Sequence, residues 1–190
     1  YVTVDRLLPT TEAGKFGFAN QGQDVQAKNN VLWVALMEKA YAQTNESGGL
    51  DRGVVKSISK NERNGYFATE GGSIARALEQ ISNKRTTEDQ KIEGITENEF
   101  VQLVNSKQAV TFGVPEEFRN KQFEKPEEGW SEKLGSARAN HAYSVIKYDA
   151  ASKRFELYNP WGVNHLKYTY KQLKEIQGTI SYTHSDQKIA

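Results

Sequence analysis

His141 and Asn159 lie in two stretches rich in aromatic and β-branched residues, Asn140-His141-Ala142-Tyr143-Ser144-Val145-Ile146-Lys147-Tyr148 and Phe155-Glu156-Leu157-Tyr158-Asn159-Pro160-Trp161-Gly162. Imidazole changes charge near neutral pH. A carboxamide oxygen can accept from one of its ring nitrogens, fixing tautomer and orientation and leaving the other nitrogen as an outward-facing general base. A base held in that way serves a nucleophile. Trp161, just beyond the asparagine, could shield the hydrogen bond from water. The same residues also fit a strand histidine bonded to a backbone carbonyl and an asparagine that merely opens a turn before Pro160.

The elements around these residues determine whether the two side chains can meet. Asp149-Ala150-Ala151-Ser152-Lys153 is polar and lacks a helical period, so the flanking stretches read as the arms of an antiparallel hairpin. A turn centred on Ala150 and Ala151 places opposite one another residues whose numbers sum to about 301. His141 then falls within a residue of Asn159 at the open end of the ribbon.

Upstream, Tyr1-Val2-Thr3-Val4-Asp5 alternates like a short strand that stops at Leu8-Pro9, and residues 10–30 form an ordered loop anchored by Phe16 and Phe18. Asn29 or Asn30 caps a helix in which Leu32, Trp33, Leu36, Ala40 and Tyr41 make a wide apolar face expected in the core. Ser73 caps a second helix with Ile74, Ala77, Leu78 and Ile81 on one side. Residues 83–93 read as a polar bridge with little to bury, which suggests a boundary between lobes at 1–85 and 86–190. Thr96-Glu97-Asn98-Glu99 is a capping box opening a helix that buries Phe100, Leu103 and Val104. Residues 109–114 make a strand, 116–130 a surface loop, 167–176 a short helix presenting Tyr170, Leu173 and Ile176, and 179–183 a closing strand. Helices early and strands late give an α+β fold.

The 190 residues suffice for a sizeable core, and 25 basic against 24 acidic side chains give no reason to expect nucleic acid or an anionic membrane as partner. No apolar run approaches the roughly 18 residues of a membrane span. The chain has no cysteine, so disulfides and thiolate metal sites are excluded within it, and so is the most common partner of a His/Asn pair.

The two quoted stretches resemble the His and Asn segments of the calpain family of papain-like cysteine proteases. Leu32-Trp33-Val34-Ala35-Leu36-Met37-Glu38-Lys39-Ala40-Tyr41-Ala42 resembles the helix lying just after the cysteine region of that family. Val4-Asp5-Arg6-Leu7-Leu8-Pro9-Thr10, together with Tyr66 and Gly71-Gly72-Ser73, falls in the order the family requires. The resemblance implies a papain-like fold, the remainder of a helical lobe at 1–85 followed by an antiparallel β-rich lobe at 86–190. It implies hydrolysis of peptide bonds through a Cys-His-Asn triad with His141 as base, Asn159 as its orienting partner and Trp161 in support. The family's Gln and Gly-Asp-Cys-Trp run have no counterpart before Leu32, so the thiol is expected on a preceding segment or a separate processed chain of the same precursor. The alternative is a catalytically inactive calpain-like module kept for binding or regulation.

Two departures bear on this reading. Phe67 stands where the family pattern leads one to expect an acidic calcium ligand, and residues 163–174 are short and basic where further ligands would follow, so calcium dependence is expected to be lost or altered, and no metal site is assigned. Asn83-Lys84 occupies the place of a Gly-Gly pair that admits substrate backbone, which changes the expected cleft. His165 and His184 have no second ligand at metal-like spacing and read as surface residues.

Overall fold

The computed structural model describes residues 2–20, 23–28, 32–50, 65–66, 72–120 and 137–188. Among these residues, four α-helices, α1 (Leu32–Glu46), α2 (Ile74–Ser82), α3 (Glu97–Asn105) and α4 (Tyr170–Ile176), accompany six strands, β1 (Lys84–Lys91), β2 (Val110–Val114), β3 (His141–Asp149), β4 (Arg154–Tyr158), β5 (Leu166–Tyr168) and β6 (Thr179–Lys188). The strands form one antiparallel sheet in the order β1-β6-β2-β3-β4-β5. The architecture is α+β, as expected.

Alternation along the strands creates the core. On β2, Val110, Phe112 and Val114 point inward, and on β4 Phe155 and Leu157 do the same, meeting Phe100 of α3 and Leu173 and Ile176 of α4. Phe100 and Phe155 lie 4.5 Å apart between ring centroids, and both are fully buried. Burying each contributes about 1.5–3 kcal/mol relative to exposure. α2 packs on the opposite side of the sheet near β1 and β6, where a side chain on Gly113 would come within 3.5 Å of Ile74 Cδ1.

Local signals set the helix boundaries. Ser73 Oγ accepts from the Arg76 amide at the start of α2, Thr96 and Glu99 complete a reciprocal capping box on α3, and Thr169 and Gln172 complete another on α4. Asn83 and Gln177 end α2 and α4 in the left-handed region.

The structure departs from the sequence reading in four places. Residues 2–5 form no strand; Asp5 instead caps the Leu7 amide and pairs with Lys39 of α1. The polar stretch 84–91 is a strand, tolerated because an edge strand needs to bury little: its backbone pairs with β6 on one side only. α1 buries only Ala35 and Ala42 fully, while Trp33 is 66% exposed, so this helix lies on the surface and not in the core. The β3–β4 hairpin pairs Asp149 with Arg154 and Ser144 with Tyr158, centring the turn near Ala151 and Ser152, because Asp149 binds both the Ala151 amide and the Ser152 hydroxyl. A bulge at Ile146 then shifts the register by one residue. The proposed caps Asn29 and Asn30, together with Phe67 and Gly71, lie outside the described residues.

Candidate active site

At the end of the sheet, His141 continues the inward row of Tyr143 and Val145, and Asn159 continues that of Phe155 and Leu157. The register places His141 beyond the last β4 partner, but the chain turns sharply at Asn159. That turn brings Asn159 Oδ1 to 3.0 Å from His141 Nε2.

Asn159 is buried and tied at several points. Its Oδ1 also accepts from the Trp161 amide at 3.0 Å, its carbonyl accepts from the Gly162 amide at 2.9 Å, and its own amide donates to His165 Nδ1 at 3.1 Å. The Trp161 contact is an Asx turn, and it fixes the carboxamide orientation because a backbone N–H requires an oxygen there. With that oxygen turned to His141, Nε2 donates. In the neutral ring, Nδ1 then carries the lone pair.

Trp161 covers the pair. Its ring lies 4.5 Å from the His141 ring, Arg138 lies 4.9 Å from the centroid of the same indole, and Tyr143 meets His141 edge-on at 4.9 Å. Arg138 is placed by the Tyr143 hydroxyl, which accepts from its amide, and the neighbouring Ala137 amide donates to the buried Tyr168 hydroxyl. Burial pushes the Tyr168 phenol up to about 12, so both hydroxyls remain protonated at neutral pH. The half-buried His141 has its pKa lowered, first by desolvation and further by the Arg138 charge, with the Asn159 bond opposing. The result is a neutral, directionally fixed imidazole suited to accept a proton at Nδ1.

The turn is also held from the far end of the chain. Gln23 Nε2 donates to the Gly162 carbonyl at 2.9 Å and the Asn20 amide donates to the Pro160 carbonyl at 2.9 Å. Gly162 has φ +74°, and a Cβ there would come within 2.9 Å of Gln23 Nε2. The loop is anchored by Phe16, which is buried, and by the Ala19 amide, which donates to Glu38 of α1 at 2.8 Å.

The structure therefore brings together His141, Asn159 and Trp161, as expected from sequence. The sequence reading did not foresee Asn20, Gln23, Arg138 or His165 at this site. His165 is exposed, as read from sequence, but it stacks on Tyr158 at 4.1 Å and bonds the Asn159 amide. His184 lies apart, its Nε2 3.0 Å from the Thr87 hydroxyl. Asn83 caps α2 and Lys84 begins β1. Among the described residues, no group of three or more His, Cys, Asp or Glu side chains is placed to hold a metal ion. Among them, too, no helix is long and apolar enough to cross a membrane.

The family model of the calpain family cysteine proteases matches residues 1–176. No curated protein and no solved structure matches the chain.

Proposed function

Because the chain belongs to the calpain family of cysteine proteases, we propose that it is the His/Asn-bearing part of a cysteine endopeptidase that hydrolyses peptide bonds through a Cys-His-Asn triad. The observation that carries the proposal is the 3.0 Å contact between His141 Nε2 and Asn159 Oδ1, with Nδ1 left to face a nucleophile. In this reading residues 1–85 are the remainder of the Cys-side lobe and residues 86–190 form the lobe bearing His141 and Asn159. The 190 residues contain no cysteine, so the thiol comes from another segment or chain of the same precursor. Once seated, its proton passes to His141 Nδ1, giving a thiolate and imidazolium. The thiolate attacks the scissile carbonyl and His141 returns the proton to the leaving amine. Water then releases the acyl group with His141 again as base. Asn159 holds the ring in the tautomer that permits this, and Trp161 keeps water from the supporting bond.

The test is to treat the protein in its natural source with a thiol-reactive epoxysuccinyl peptide probe and identify the labelled polypeptide by mass spectrometry. A cysteine-bearing companion that co-purifies with this chain and is labelled supports the proposal, provided His141→Ala abolishes labelling. The absence of any such companion would favour the second reading, a calpain-like module retained for binding or regulation, for which the absence of cysteine is the specific motive.

A further inference from the structure

We propose that His165 is a positioning residue for the catalytic pair: by accepting the Asn159 amide it sets where the asparagine carboxamide stands, and so the orientation of His141. The inference rests on the His141–Asn159 pairing described above. It extends that pairing to a relay of two imidazoles joined through one asparagine.

The geometry carries it. Asn159 is the first residue after β4, where the ladder to β5 has ended, so its N–H has no strand partner; the β4–β5 pairing runs only from Phe155 to Leu157. A buried N–H without an acceptor is unfavourable, and His165 Nδ1 supplies one at 3.1 Å. Tyr158 stacks on the His165 ring at 4.1 Å with planes 21° apart, which fixes the ring and aims Nδ1 at the amide. At the other end of the same residue, Oδ1 meets His141 at 3.0 Å. Displacing the Asn159 backbone therefore displaces the oxygen that orients the base.

An accepting Nδ1 requires the neutral ring with its proton on Nε2. Protonation of His165 would place an N–H opposite an N–H and release Asn159. Tyr158 covers one face of the ring and would favour a cation modestly, while the neighbouring Glu156 is already paired with Lys167 at 2.8 Å, and Arg138 lies against Trp161. Although the residue is largely exposed, partial desolvation of its ring lowers its pKa, consistent with a ring that stays neutral.

The test is 15N and 13C NMR of the chain, read at both histidines and independent of any thiol. Unsubstituted protein is expected to show His165 Nδ1 as the unprotonated nitrogen at pH 7, with a scalar coupling across the hydrogen bond to the Asn159 amide. His165→Phe keeps a ring on Tyr158 and removes the acceptor; it should lower the His141 titration midpoint by about half a pH unit. His165→Asn, whose carboxamide oxygen can take the place of Nδ1, should restore it. A proton on Nδ1 in the neutral protein, or a His141 midpoint unmoved by His165→Phe, overturns the inference. If His165→Phe does not fold, the tautomer, the coupling and the asparagine variant still decide it. Asn159→Ala separates the two readings. If it moves the His141 midpoint and His165→Phe does not, only the relay fails; if neither does, the His/Asn pairing itself fails.

Discussion

Replacing Asn159 by alanine removes the oxygen on which the site converges. Oδ1 accepts from His141 Nε2 and from the Trp161 amide, both at 3.0 Å. Each such bond contributes about 1 kcal/mol net, and a partly buried amide left without an acceptor adds roughly 1–2 kcal/mol, so Asn159→Ala should destabilise the fold by about 3–4 kcal/mol. The bond to Asn159 favours the charged form of His141. Losing about 1 kcal/mol of that preference, at about 1.4 kcal/mol per unit, should lower the His141 midpoint by roughly 0.7 of a unit. Urea denaturation measures the first quantity and an NMR titration of the imidazole the second. Under the proposed Cys-His-Asn mechanism the same change should reduce kcat/KM at least tenfold with substrate binding largely retained, since orientation of the base matters in the transition state. A variant with full stability and an unmoved His141 would refute the reasoning, because it would mean that the observed contact has no energetic coupling.

Other perturbations test the surroundings. Gly162→Ala places a Cβ 2.9 Å from Gln23 Nε2 at φ +74°, so it should destabilise by about 1–3 kcal/mol and weaken the His141–Asn159 pair, read as a fall in the His141 midpoint; an unchanged midpoint would show that the N-terminal loop does not hold the turn. Gly178→Ala brings a Cβ within 2.1 Å of Phe112 Cζ in the closed core, and a loss of about 3 kcal/mol or more is expected by thermal or urea unfolding. Glu38 has its carboxyl pKa raised by burial while it accepts from the Ala19 amide, so Glu38→Gln, which keeps an acceptor without the buried charge, should raise the melting temperature at pH 7 and lessen its rise on mild acidification. His141 is lowered below its ordinary 6.5, so its contribution to stability is present above that value and is lost as pH falls through the lowered one. Urea midpoints across pH 7.5 to 5 should therefore fall less steeply in His141→Gln.

The parts of the fold governed by short-range signals were legible in the sequence. The capping box at Thr96 and the alternation of Val110, Phe112 and Val114 follow from neighbouring residues alone, and the structure shows them at those positions. The pairing of His141 with Asn159 was also legible, although the turn lies one residue later than expected. The Asp149 contacts and the bulge at Ile146 shift the ladder, and the Asx turn at Asn159 restores the approach. What the sequence hides is contact between distant segments: no local pattern announces that Gln23 reaches Gly162, or that Lys84–Lys91 completes a sheet by pairing with the last strand. His165 escapes for a related reason, since an exposed histidine after a turn carries no spacing signature until Tyr158 is seen stacked on it. Residues of α1 read as core because their hydrophobicity is high, yet Leu32, Trp33 and Met37 remain exposed among the described residues.

The hydrogen bond from Gln23 to Gly162 spans 139 positions of the chain. Such a closure is entropically late, because the sheet between the two segments must already exist to bring them near. The hairpin bearing the imidazole can thus assemble from its own residues, whereas the collar that steadies its carboxamide waits for the opening loop to arrive. A ribosome-bound intermediate still missing residues beyond Pro160 would hold that loop without Gly162, so this clasp on the Asn159 turn can close only after those residues emerge.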